Sequence, residues 1–418
     1  MSELWETSKF KTVPLIFKEH NSRWGFSYFV VKNQATKKLY WMTETELFVL
    51  LCMKNEVNFE GLIQRLHDRY EGVDSEEVKN YILKLSYQGL LTVDQKLLNE
   101  RNQRRENART LSIRLISSDT FIRLGALRKR VKFAFTRKVK KSILAFTLLL
   151  IPFILYVNIF TRPTVSVPLY AIYGSPILGW ALLLLILVPV LAIHELSHAI
   201  SCLYYGVEPR EAGIGFEYFF PYLYTDTSES WFLDKKQRVW ISVSGPISTI
   251  VVATAFITFS KFYFVPYDVQ SLLNSGGFLC LIATLINLCP FIESDGYYIL
   301  MDVLDIPNLR DLAFKHLIRK VRRIRSEDTR LPFESPRLRT ILMGFGFVSL
   351  SWMAFFTYIG SSYTIALLKE AWSSIIFISQ GQPSLLGILN ILVLSSIGFL
   401  MVAATIRSIS NAMKVLKD

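Results

Sequence analysis

Six stretches of the 418-residue chain contain no Asp, Glu, Lys or Arg: 142–161, 163–193, 239–260, 269–292, 340–368 and 371–406. A helix needs about 20 apolar residues to cross the hydrocarbon of a bilayer, and each stretch supplies that length. The pattern predicts a polytopic α-helical membrane protein with about six transmembrane helices. The first run starts behind a long polar region, so it is not expected to be a cleaved signal peptide, and no other targeting segment stands out.

The chain before residue 142 has shorter periods. GFSYFVVK (25–32) and KLYWM (38–42) predict two strands joined by a polar turn. TETE (43–46) predicts a helix start, because Thr43 and Glu46 have the spacing of a capping box ahead of the apolar LFVLLCM. Leu62, Ile63, Leu66 and Tyr70 mark one face of a second helix. Asp74 and Glu77 open a third, with Val78, Ile82 and Leu85 inward and Gly89 closing it. LLTV (90–93) is read as a short last strand. Two strands and three helices make residues 1–93 a winged-helix-like α+β domain. Residues 94–141 read as a basic juxtamembrane linker, and 142–418 as the membrane domain with a core over 175–310.

Composition supports the membrane assignment. The chain is 51% hydrophobic with a mean hydropathy of +0.32, too apolar for an ordinary soluble protein. Its net charge of +13 is unevenly spread. RKRVKFAFTRKVKK (128–141), KKQR (235–238) and KHLIRKVRRIR (315–325) flank apolar runs. Basic loops stay in the cytoplasm, and six spans with both termini cytoplasmic put all three clusters there. This fits a multi-pass protein of the plasma membrane in contact with the lipid bilayer, with no nucleic acid as partner. The four cysteines, Cys52, Cys202, Cys280 and Cys289, form no CxxC pair and predict no disulfide framework.

Within LAIHELSHAI (191–200), His194, Glu195 and His198 interrupt an apolar run. A charge in the middle of a membrane costs roughly 2.5–3.5 kcal/mol, so three polar groups in one turn require compensation. On a helix the two histidines lie about 40° apart around the axis and one turn apart along it, so both rings can reach one metal ion. Zinc suits imidazole ligands, and Glu195 is placed to act as general base and acid on a water beside it. A catalytic zinc takes a third protein ligand. Cys202 lies one turn beyond His198. The alternatives are Glu293, Asp295, Asp302 and Asp305, after an apolar run in which Pro290 and Gly296 bend the chain. Spacing alone leaves both choices open.

The membrane motifs resemble the site-2 protease family of intramembrane zinc metallopeptidases. The matching residues are His194-Glu195-Leu196-Ser197-His198, Asn287, Pro290 and Asp295-Gly296, with Ser294 where the family usually has Leu. The resemblance implies Asp295 as third ligand and a packing role for Cys202. The stretches 220–246 and 294–310 are similar to the "peptide zinc metalloprotease" branch, and 40–93 resembles the PqqD-like domains that recognise leader peptides. It further implies a Zn2+-dependent endopeptidase acting on a peptide or small membrane protein. The expected role is maturation of a ribosomally made antimicrobial peptide precursor, a bacteriocin, with a leader peptide at the front domain and a transporter as possible partner. Asn287, Gly245 and Pro246 are expected to position substrate, or else to serve helix packing. Regulated intramembrane proteolysis of a tethered regulator is the alternative enzyme. A non-hydrolytic export or immunity component is disfavoured by the intact Glu195.

Overall fold

The computed structural model describes residues 9–70, 72–92, 111–117, 120–121, 136–160, 176–217, 220–322 and 335–379. The chain forms two compact units, Met1–Arg109 and Thr110–Asp418.

Among its described residues, the first unit contains a small sheet region and three helices. Strands β2 (Leu15–Asn21), β3 (Ser27–Asn33) and β4 (Leu39–Thr43) form an antiparallel sheet in that order. Strand β1 (Lys9–Thr12) pairs with the short β5 (Val57–Asn58) and β6 (Leu91–Thr92). Helix α1 (Glu44–Cys52) begins at the capping box: Glu46 N–H donates to Thr43 Oγ1 at 3.2 Å, and Thr43 N–H donates to Glu46 Oε2 at 2.9 Å. Helices α2 (Phe59–His67) and α3 (Ser75–Tyr87) bury Leu62, Leu66, Val78, Ile82 and Leu85 against Phe10, Val31 and Leu50. Gly89 closes α3 at φ 70°, a conformation in which a side chain would be strained. Strands β1 and β2 had no clear signal in the sequence. β2 lies at a sheet edge with Ile16 and Phe17 exposed, so its alternation of apolar and polar residues is blurred.

The second unit is mostly helical. Among the described residues, four helical segments are long and apolar enough to cross a membrane: Ala181–Tyr205, Lys235–Phe262, Tyr267–Asn287 and Pro336–Phe355. They belong to α5 (Pro176–Tyr205), α6 (Lys235–Phe262), α7 (Tyr267–Asn287) and α10 (Pro336–Ser379). The apolar run 142–161 falls in α4 (Arg137–Phe160). Two shorter helices, α8 (Asp295–Leu304) and α9 (Leu309–Arg322), separate α7 from α10. Helix α10 runs unbroken through Lys369 and Glu370, where the charge pattern divides the last two runs. Both residues are good helix formers and neither interrupts the backbone. Most of the run 371–406 lies outside the described residues.

Part of the predicted linker is structured. Leu111–Ser117 forms β7, the outer strand of an antiparallel sheet with β8 (Glu211–Glu217) and β9 (Phe220–Thr225). Its alternation, LSIRLIS, is short and sits beside a charge-rich stretch that masks it. Gly213 permits the pairing, because a Cβ there would collide with the Ile113 carbonyl oxygen.

Helix α6 lies against α4, α5, α7 and α8. Val190, Ala253 and Cys280 form one apolar cluster among α5, α6 and α7, and Ile154, Val157 and Ile257 another between α4 and α6. Without a hydrophobic force between helices in lipid, close backbone approach by small residues carries the packing. Gly277 is such a residue: a Cβ would sit 2.6 Å from Ile257 Cγ1 and 3.1 Å from the Ala253 carbonyl. At the adjacent Gly276 a Cβ would have only ordinary contacts, at 3.7 Å or more. Gly277→Val should therefore destabilise the protein by about 1–3 kcal/mol through overpacking. Gly276→Ala should be neutral or slightly stabilising through helix propensity. Thermal unfolding of both variants in detergent checks the contrast, and equal effects would contradict this packing.

Candidate metal centre

Three side chains from two parts of the chain converge. His194 and His198 project from α5, and Asp295 is the first residue of α8. His194 Nε2, His198 Nε2 and Asp295 Oδ2 form a triangle with all three sides 3.2 Å. Both histidines are buried and Asp295 is partly buried.

Hydrogen bonds at Nδ1 orient both rings. The Ile241 carbonyl can only accept, so at 2.7 Å His198 Nδ1 must donate to it. Thr249 Oγ1 lies 2.8 Å from His194 Nδ1 and donates its own proton to the Gly245 carbonyl at 3.3 Å. Its oxygen is left to accept from His194 Nδ1–H. Nε2 is then the nitrogen that each ring turns toward the carboxylate oxygen. Two ring nitrogens and a carboxylate oxygen this close need positive charge among them, which a metal ion can supply, and grips on the far side of each imidazole are typical of metal ligands.

The spacing and chemistry fit zinc. Donor atoms about 2.0–2.1 Å from a tetrahedral zinc stand roughly 3.3 Å apart, and two imidazoles with a carboxylate leave a fourth position open. The space is kept by Gly245 on α6. A Cβ at that residue would lie 2.6 Å from His194 Nε2 and closer still to His198 Nε2. Gly245 thus lies directly behind the converging nitrogens, which gives it a more specific place than helix packing. Pro246 is buried beside it within α6.

Asp295 is held by Asn287 at the end of α7. Asn287 Nδ2 donates to Asp295 Oδ2 at 2.7 Å, and Asp295 N–H donates to Asn287 Oδ1 at 3.3 Å. The intervening turn is tight: a Cβ at Gly296 would collide with the Leu288 backbone, and Ser294 Oγ donates to the Asn287 carbonyl at 2.8 Å. Arg310 braces it from outside, bonding Glu293 at 2.7 Å and the Phe291 carbonyl at 2.9 Å. The other candidate carboxylates are engaged elsewhere: Glu293 with Arg310, Asp302 with Arg238, and Asp305 with Lys235. Burial pushes the Asp302 carboxyl above its ordinary range, and the Arg238 guanidinium opposes that shift. Cys202 is buried on α5 and is not part of the converging group.

Glu195 and the triad line a cavity of about 510 Å³, with Tyr222, Thr225 and Ser242 among its walls. Thr225 on β9 ties the sheet to α5 by donating to the Glu195 carbonyl at 3.2 Å. Thr249 and the Ile241 carbonyl were not foreseen from sequence. A threonine in an apolar run is a weak signal, and a carbonyl acting through the backbone leaves none.

The chain is similar to YydH of Bacillus subtilis (strain 168), named "Putative peptide zinc metalloprotease protein", at 24% identity over 139 residues. The match covers 33% of this chain and 53% of that protein, about half its length. No protein-family profile matches the chain, and no solved structure matches it.

If these three residues hold the metal, Asp295→Ala should lose it while Cys202→Ala keeps it. Gly245→Ala should also lose it, because the new methyl group would collide with both Nε2 atoms and force the rings apart. Elemental analysis of the purified variants tests this; full metal occupancy in Gly245→Ala would contradict the geometry.

Proposed function

We propose that the protein is a zinc-dependent membrane endopeptidase. The observation that carries this reading is the triangle of His194 Nε2, His198 Nε2 and Asp295 Oδ2, with Glu195 lining the same cavity. These three residues would hold the zinc. Bound there, zinc supplies Lewis acidity that polarises the scissile carbonyl and makes a water molecule easier to deprotonate. Glu195 takes the proton from the attacking water and delivers it to the leaving amine. Thr249 and the Ile241 carbonyl hold each ring by Nδ1, which leaves Nε2 to face the metal position. Asn287 orients the Asp295 carboxylate, and Gly245 keeps the site open. A direct contact of Asn287 or Pro246 with substrate is compatible with this arrangement.

The substrate we favour is a peptide or small membrane protein, cut at or just inside the cytoplasmic face of the plasma membrane. Six spans with both termini in the cytoplasm are the topology that the basic clusters support. The name of the similar protein agrees with a peptide substrate. Within that proposal the enzyme matures a ribosomally made antimicrobial peptide, working beside a transporter. Residues 1–93 serve as a PqqD-like domain for the leader peptide. An extended peptide can add to an open sheet edge through main-chain hydrogen bonds. β2 offers such an edge, with Ile16 and Phe17 each 48% exposed.

Glu195→Gln separates base from ligand. It should retain the metal yet lose at least about 100-fold in turnover of a generic protein substrate such as casein, in line with general acid–base contributions. His194→Ala should lose both. An active Glu195→Gln enzyme would defeat the assignment.

Deleting residues 1–93 tests the recognition role. Processing of a full precursor should fall well below that of a short peptide lacking the leader, with both followed by mass spectrometry. Equal slowing of the two substrates would leave the front unit no part in recognition.

A further inference from the structure

Helices α6 and α8 run antiparallel with matched charges. Lys235 Nζ meets Asp305 Oδ2 at 3.0 Å. One turn further along α6, Arg238 meets Asp302, with Nε and Nη2 at 2.7 and 2.6 Å from the same oxygen, Oδ1. Each three-residue step forward on α6 answers a three-residue step back on α8. Seven residues beyond Arg238 is Gly245, and seven before Asp302 is Asp295. Two turns of helix return a side chain to nearly the same face, so the ion pairs and the metal centre share one seam.

The inner pair is held firmly. Arg238 and Asp302 are each 3% exposed. The third guanidinium nitrogen, Nη1, donates to the Leu233 carbonyl at 2.9 Å, and the group lies over the Trp231 ring at 5.1 Å. The outer pair sits at the end of α8, where Asp305 takes a left-handed φ of 62°. Such a conformation in a non-glycine residue persists only where surrounding contacts hold it. A buried ion pair contributes little net stability against an apolar pair of similar volume, so its directional value needs another explanation.

We infer that Arg238–Asp302 and Lys235–Asp305 form a positioning clamp that sets Asp295 against His194 and His198 and thereby tunes metal affinity. The inference rests on the metal-centre reading above. Helix α6 grips the imidazoles through Thr249 and the Ile241 carbonyl. Through the clamp the same helix holds the element that carries the third donor. Arg238, Lys235, Asp302 and Asp305 are positioning residues that act through Asp295.

The test is zinc affinity of the full-length protein in detergent, by competition with a chromophoric chelator, with the cobalt(II) absorption spectrum as second readout. Arg238→Met/Asp302→Leu replaces the buried pair with apolar side chains, an exchange that is often neutral for folding. Lys235→Met removes the outer pair, whose lysine is 47% exposed. The double variant should bind zinc 10–100-fold more weakly, the usual range for partners of metal ligands. Its cobalt spectrum should change, while metal-free thermal unfolding stays near wild type. Lys235→Met should weaken binding in the same direction, to a smaller extent. Unchanged affinity and spectrum in the double variant would overturn the clamp. If the double variant does not fold, unchanged affinity in Lys235→Met overturns it alone. Asp295→Ala is the reference: if it binds zinc as wild type, the ligand assignment falls and the clamp with it. If it loses zinc while the clamp variants keep it, only the clamp falls.

Discussion

Three electron-rich atoms held 3.2 Å apart inside a helical bundle are the constraint on which the surrounding structure depends. With both rings unprotonated at Nε2, two lone pairs and a carboxylate repel one another, and an apolar setting strengthens that repulsion. Each is held by a partner: one ring at Nδ1 by a hydroxyl, the other at Nδ1 by a carbonyl, and the carboxylate by the Asn287 amide, which bonds the same Oδ2 that faces the rings. A cation converts this repulsion into binding energy.

Helix α6 serves as the common frame. It accepts a hydrogen bond from each imidazole, withholds a side chain at Gly245, and pairs its first turns with α8. The arrangement joins unlike requirements on one element. Its polar end fixes α8 through charge, and its apolar middle packs on α5 and α7 through small residues such as Ala253. Rigidity at the site follows from packing and polar contacts sharing the same backbone.

The cavity beside the centre is walled by β9, α5, α6 and the start of α8. Its polar lining contrasts with the outer face of α5, where Leu184, Leu185 and Val188 are exposed. That contrast fits a polar chamber set within helices whose outer faces suit lipid. The proposed hydrolysis needs water, and an apolar bundle gives it a place only where polar walls hold it.

Sequence alone marked the apolar runs, the helix starts in the first unit, and His194, Glu195 and His198 as candidate site residues. These are local properties: an uncharged run, a capping box and an i, i+4 pair are written in neighbouring residues. The capping box of Thr43 and Glu46 appears as expected because both partners lie within one turn. Spacing did not settle the third donor, since Asp295 lies 101 residues from His194 in the chain. Only the fold brought it there and turned Glu293, Asp302 and Asp305 to other partners. It also revealed β7 within the expected linker, since a strand's pairing depends on a distant neighbour. The matched spacing of Lys235 and Arg238 with Asp302 and Asp305 was present in the sequence. Its meaning was not, because charge complementarity becomes register only once two helices lie side by side.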